Sequence, residues 1–192
     1  KKLKLLDAPN SFIGYKTINE KVCNDLIEFF ENDKYFIARE GKTTTEVDKN
    51  IKDSWDKTLP IYYEHPTISD YMAYLQQCIN GYYKLFPNLN GIKFRLANEF
   101  NIQKYPKGGG FKVWHCERMG DIAKTNARVL AFMTYLNDVK EGGETQFLLQ
   151  KTAIVPKKGL TLIWPSEWTH MHRGIPAPNE EKYIATGWFE LA

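Results

Sequence analysis

The chain's 192 residues carry 26 Lys and Arg against 23 Asp and Glu, a formal net charge of +3. So small a charge, on lysines scattered without a basic stripe interleaved with aromatics, excludes a dedicated nucleic-acid surface, and no run of roughly 18 apolar residues offers a membrane span. The length suits one domain over residues 1–192, and five Trp, eleven Tyr and eleven Phe favour a β-rich or aromatic-lined interior over a helical bundle.

Taken in order, Lys1 to Lys16 reads as an irregular or strand-like lead-in with no apolar run of signal-peptide length. Asn19 is placed to cap a helix over residues 19–31, where Val22, Leu26, Phe29 and Phe30 recur at helical spacing. Residues 41–60 are rich in Thr, Lys and Asp without a sustained period, so a long polar loop is expected there. A second helix is expected over residues 69–84, with Met72, Leu75, Ile79 and Tyr82 on one face and Gly81 weakening it slightly. The run from Phe86 to Gly91 breaks it.

From Ile92 onward short extended runs are cut by Gly, Pro, Asn and Asp. Strands are expected over residues 94–105, 112–116, 128–136, 145–148, 152–155, 161–164 and 182–189. Two helices followed by many short strands predict a mostly β, α+β fold, a sandwich or barrel with residues 1–91 as helical support and 92–192 as core. Cys23, Cys78 and Cys116 form an odd number at no metal-type spacing and read as reduced thiols of a soluble, cytoplasmic protein.

The residues that carry chemistry come late. Trp114-His115-Cys116-Glu117 contains a His-x-Glu, and on an extended strand His115 and Glu117 project to one side while Cys116 points away. An imidazole beside a carboxylate supplies two corners of a 2-His-1-carboxylate iron site. Taken singly, each has a blander reading, a hydrogen-bonded structural histidine and a solvated carboxylate. A third corner needs another of the four histidines, and His170-Met171-His172 holds two. If the segment is extended, strand alternation puts both on one face, so spacing alone leaves both open. The glycines at 108, 109 and 110 are no phosphate loop, because no Lys-Ser/Thr and no helix start follow them.

Further motifs fall in order around these residues. Tyr105, Gly108, Gly109 and Gly110 precede the His-x-Glu. Tyr135-Leu136-Asn137-Asp138 leads into Gly142-Gly143-Glu144-Thr145-Gln146-Phe147, and His172, Pro176, Lys182 and Trp188-Phe189 close the series. Over residues 105–189 this order resembles the iron(II)- and 2-oxoglutarate-dependent oxygenases, particularly their prolyl 4-hydroxylase branch. The resemblance implies a double-stranded β-helix (jelly roll) with N-terminal helices packed on one sheet. It selects His172, which keeps the family's spacing to Pro176 and Lys182, as third iron ligand beside His115 and Glu117. His170 is left as a neighbour that either points into the pocket or simply packs.

By the same resemblance Lys182 pairs with the distal carboxylate of 2-oxoglutarate and Tyr105 donates its hydroxyl to that group. A desolvated carboxylate needs such fixed partners. Arg173, Trp114 and His170 are candidates for substrate contact, and Phe111, Trp114, Trp164 and Trp168 for the cavity wall. Thr145 and Phe147 are expected to build turn and core, and Gly142-Gly143 to supply backbone freedom. Fe(II), 2-oxoglutarate and O2 are the implied cofactors and cosubstrates, with ascorbate as reductant. The implied reaction hydroxylates an unactivated C–H of a prolyl residue in a peptide or protein, releasing succinate and CO2. The alternatives are the same chemistry on a free amino acid or other small molecule, or a non-catalytic jelly-roll binding module. Selectivity is expected in the loops at 41–60 and 119–126. The prolyl branch carries Asp where this chain has Glu117, whose extra methylene the strand or rotamer must accommodate.

Overall fold

The computed structural model describes residues 2–8, 11–43, 46–120 and 123–192. Helix α1 (Glu20–Asn32) starts where the Asn19 side chain accepts a hydrogen bond from Lys21 N at 2.8 Å, the cap its position suggests. It buries Val22, Cys23, Leu26, Phe29 and Phe30. Helix α2 (Pro66–Leu85) starts earlier than residue 69, because His65 Nδ1 accepts from Thr67 N and Pro66 occupies a first-turn position that needs no N–H. A short 3-10 turn over Pro87–Gly91 ends it.

The strands are β1 (Lys4–Leu5), β2 (Gly14–Thr17), β3 (Arg39–Glu40), β4 (Trp55–Pro60), β5 (Phe94–Tyr105), β6 (Arg128–Tyr135), β7 (Thr145–Phe147), β8 (Thr152–Ile154), β9 (Leu160–Pro165), β10 (His172–Gly174) and β11 (Lys182–Leu191), with a one-turn helix α3 (Ala123–Asn126) before β6. Eight strands form an antiparallel sheet in the order β1-β2-β9-β6-β11-β5-β4-β3, and β10-β7-β8 form a smaller sheet. This is the jelly-roll arrangement, and the alternation of each strand sorts its residues into two cores. On one face of the large sheet, Phe100, Ile102, Leu130, Phe132, Ile163, Ala185 and Phe189 pack with Leu26, Phe30, Leu75 and Ile79 of the helices. On the other, Tyr105, Ala131, Met133, Tyr135, Leu162, Trp164 and Ile184 pack with Phe147 and Ile154 of the small sheet. That second core borders His172 and Glu117, through Phe147 and Trp164 on the one and Trp188 on the other.

Two expectations need correction. The supposed polar loop over 41–60 contains β4, which pairs with β5 and sets Asp56 opposite Gln103. Its lysine disguises it: Lys57 is 4% exposed, donates to Asp33 O at 2.6 Å and lies over the Phe30 ring, so the stem packs while the ammonium finds a carbonyl. Thr44 and Thr45 of that stretch, like Asp121 and Ile122 of the 119–126 loop, lie outside the described residues. Together β1 to β4 carry the sheet into the part before residue 92, which is therefore more than helical support. Second, residues 112–116 form no strand. The isolated bridges Lys52–Phe111 and His115–His172 tie that segment down.

Gly142 and Gly143 both take positive φ, +72° and +75°, and a Cβ on Gly142 would collide with the Pro176 carbonyl oxygen. Gly142→Ala is expected to cost roughly 2 kcal/mol or more of stability, from left-handed strain plus that clash. Urea denaturation checks it, and an unchanged midpoint would contradict this account. Among the described residues no helix is long and apolar enough to cross a membrane.

Candidate metal centre

The two histidines are placed side by side by backbone, not by strand alternation. His115 N donates to His172 O at 3.0 Å and His172 N to His115 O at 2.8 Å. Two residues further, Glu117 N and Arg118 N both donate to Ser166 O at the end of β9, which bends the segment so that Glu117 returns toward the histidines. The pair expected on one strand face thus converges through a bent segment held at both ends. Cys116 turns aside, its thiol toward Arg118 O and Met119 Sδ.

The tautomers follow from the partners. His115 Nδ1 lies 3.0 Å from Val113 O and His172 Nδ1 2.9 Å from His170 O. A carbonyl only accepts, so each Nδ1 carries a proton and each Nε2 of the neutral ring is a bare lone pair. His172 Nε2 faces Glu117 Oε1 at 3.0 Å, and His115 Nε2 faces it at 3.8 Å. Among the described residues these three form a group able to hold a metal ion, with all ligand atoms within 4.8 Å of one another. Two acceptors at 3.0 Å repel unless a proton or cation lies between them. Ligands about 2.1 Å from one ion at a right angle stand roughly 3 Å apart, so the spacing fits a metal.

Burial, reinforced by neighbouring His172, pushes the His115 imidazole down to about 4 against the pull of Glu117, so it is neutral at pH 7. Burial alone would raise the Glu117 carboxyl. Its interactions with His172, His115 and Arg128 outweigh burial and hold it well below the usual carboxylate range. Two imidazoles and a carboxylate are the donor set of the facial triad of non-haem iron(II).

Each of the three side chains is also braced. Phe111 stacks on the His115 ring at 3.6 Å and 12°. Trp164 and Phe147 flank His172 at 5.1 and 5.6 Å. Glu117 Oε2 accepts from Trp188 Nε1 at 2.7 Å, and the Arg128 guanidinium lies 3.6 Å from the Trp188 ring centre.

Lys182 opens β11 opposite Tyr105. It is 4% exposed, donates to Gly143 O at 3.1 Å and lies 4.9 Å from the Tyr105 ring centre. Burial pushes its ammonium down to about 8, partly offset by Glu144. A buried cation that meets no carboxylate in an ion pair among the described residues is poised for an anion. The Tyr105 hydroxyl is engaged elsewhere. It donates to Gln103 Oε1 at 2.8 Å, Gln103 Nε2 donates to Asp56 Oδ2, and Asp56 accepts from Lys52 and Ser54. The structure brings the ring of Tyr105, and not its proton, to Lys182.

A pH signature follows. An unfolded Lys182 keeps its proton up to about its ordinary 10.5, whereas the folded one releases it near 8. The unfolded chain therefore holds more protons between those values, and stability rises with pH across that window. A bound dianion would restore the proton and erase the rise. Thermal melts from pH 7 to 10.5, with and without 2-oxoglutarate, test this, and parallel curves would contradict it.

Of the substrate candidates, Arg173 and Trp114 come together: Arg173 Nε donates to Gln146 Oε1 at 2.9 Å and its guanidinium lies 4.5 Å from the Trp114 ring centre. His170 does not join them. It ends a 3-10 turn over Trp168–His170, so the segment is not extended and the expected shared face with His172 is lost. Its Nε2 meets Ser11 O and its Nδ1 meets Thr169 Oγ1, and at 2% exposure it packs instead of facing a pocket. Trp168 is 68% exposed. Residues 41–60 conceal the Lys52–Asp56 pair, and nothing in their composition marks it. Trp188 could have been found, since it lies an even six positions after Lys182 and so on the same strand face.

Residues 100–190 match the family model described as the 2OG-Fe(II) oxygenase superfamily. Over that stretch, just under half of its length, the chain is similar to this superfamily. A curated relative, probable prolyl 4-hydroxylase 9 of Arabidopsis thaliana, is 28% identical over 118 residues, covering 48% of this chain. The match covers 40% of that protein, so the chain spans less than half of that relative's length. Two solved structures are similar. A Pseudomonas putida prolyl-4-hydroxylase has a TM-score of 0.72 at 20% identity, covering 93% of this chain and 92% of that one. The viral collagen prolyl hydroxylase of Paramecium Bursaria Chlorella virus-1, in a 2OG complex, has 0.71 at 18%, covering 97% and 100%. At such identities the likeness establishes the shared fold. The superfamily implies Fe(II), 2-oxoglutarate and O2, and the donor set of His115, Glu117 and His172 suits that ion.

Proposed function

We propose that this chain is an iron(II)- and 2-oxoglutarate-dependent dioxygenase that hydroxylates a prolyl residue of a peptide or protein. The observation that carries the reading is the convergence of two bare Nε2 lone pairs and one carboxylate oxygen within 4.8 Å. His115, His172 and Glu117 would hold the iron, and Lys182 would take the far carboxylate of 2-oxoglutarate. When bound, iron with 2-oxoglutarate and O2 supplies the oxidising power, turning the cosubstrate into succinate and CO2 and placing one oxygen on the substrate carbon. The chain's own work is to orient and to exclude water. Phe111, Phe147 and Trp164 fix the imidazole planes and keep that side dry. The prolyl assignment takes support from the prolyl hydroxylases among the chain's relatives and from the Trp114 face backed by Arg173, where a pyrrolidine ring can stack.

Anaerobic loading with Fe(II) and 2-oxoglutarate, followed by O2 and ascorbate to keep the iron reduced, tests this. Succinate release with a proline-containing peptide that gains one oxygen mass is the expected result. Free proline gaining the oxygen in its place would shift the substrate class. Absence of both iron uptake and succinate would overturn the enzyme reading.

A further inference from the structure

The glutamate ligand is held from behind. Its side chain has one more rotatable bond than an aspartate and loses more freedom when it ligates, so something must fix which oxygen it presents. Trp188 Nε1 donates to Oε2 at 2.7 Å, leaving Oε1 alone toward His115 and His172. Arg128 secures the arrangement from two sides. Its guanidinium covers the Trp188 ring at 3.6 Å, and its NH1 donates to the Glu117 carbonyl at 3.0 Å while standing 3.7 Å from Oε2. Both side chains rise from adjacent strands of the large sheet, where Glu190 pairs with Arg128 and Trp188 with the small Ala131. A ligand partner on paired strands is more rigid than one on a loop.

We propose that Trp188 and Arg128 are positioning residues that clamp Glu117 so that it offers a metal one oxygen only, and that this clamp is what lets a glutamate serve at this position. The proposal rests on the metal reading above. Its consequence is that a carboxylate pinned through Oε2 cannot close on the ion with both oxygens, which leaves coordination positions free for other ligands.

The test is a cycle read by metal binding, independent of turnover. Apo protein is titrated with Co(II) and followed by visible absorption, in the wild type, Trp188→Phe, Glu117→Asp and the double variant. Loss of an outer hydrogen bond to a ligand weakens metal binding by about 10-fold or more, so W188F is expected to raise the Co(II) Kd about tenfold where Glu117 is present. In the E117D background the shortened carboxylate cannot both ligate and reach the indole, and W188F should change Kd by less than about twofold. Equal losses in both backgrounds indicate a general loosening and overturn the clamp, as does an unchanged Kd in W188F. A wild-type protein that takes up no Co(II) overturns the metal reading itself. Should W188F fail to fold by circular dichroism, Arg128→Lys runs the same cycle. It loses the planar stack on Trp188, and its penalty must again vanish with E117D for the clamp to stand.

Discussion

Replacing His172 with alanine is expected to weaken Fe(II) binding by ~100-fold or more and to abolish succinate release, whereas His170→Ala leaves both largely intact. His172 contributes one of three donor atoms and is itself fixed through Nδ1 on His170 O. That bond uses the backbone of residue 170, which alanine keeps. The His170 ring instead serves packing. Its loss strands the Ser11 carbonyl in a buried place, at a cost of about 1–3 kcal/mol in stability. The two variants should therefore separate cleanly, one losing metal and the other losing melting temperature. Anaerobic iron titration alongside urea denaturation reads both, and a His170→Ala protein that loses iron while His172→Ala keeps it would reverse the ligand assignment.

Lys182→Met is expected to lower affinity for 2-oxoglutarate by ~100-fold or more while making the protein more stable. The side chain sits almost wholly buried with a single carbonyl partner, and burial has already pushed its ammonium from 10.5 to about 8. Methionine fills similar volume without that penalty, which is worth roughly 1–3 kcal/mol at neutral pH. Gain in stability with loss of binding marks a residue retained for function. Unchanged 2-oxoglutarate affinity, measured anaerobically on the iron-loaded protein, would sink the anchor assignment.

What the sequence reveals of this site is what is local or repeated in order. His115 and Glu117 stand out as a local pair, while the choice of His172 over His170 and the role expected of Lys182 come from the resemblance those stretches carry. The helices follow from their apolar period, and most strand positions from β-rich runs between turn residues. What stays hidden depends on distant partners. β4 looks polar because Lys57 is satisfied by Asp33 O, on a separate helix end. Trp188 acts through a residue 71 positions away. The His115 segment looks like a strand because its side chains alternate, yet its hydrogen bonds go to His172 and Ser166 and to no ladder. Tyr105 keeps the expected place, and its proton goes to Gln103 because Asp56, unsuspected inside the polar stretch, orients that amide.

One strand, β11, carries Lys182 at its start and Trp188 six positions on. It would therefore act as a graduated scale between the proposed anion anchor and the proposed metal site. Only every second residue of a strand faces the same side, so the cation can be moved only in steps of about 6.6–6.8 Å. A carbon–carbon bond is about 1.5 Å, so a single step is longer than several methylenes. Variants meant to accept a shorter or longer dicarboxylate cannot be made by sliding the lysine along β11. They must change the reach of the side chain at position 182, with arginine or a truncated amine, and leave the scale itself untouched.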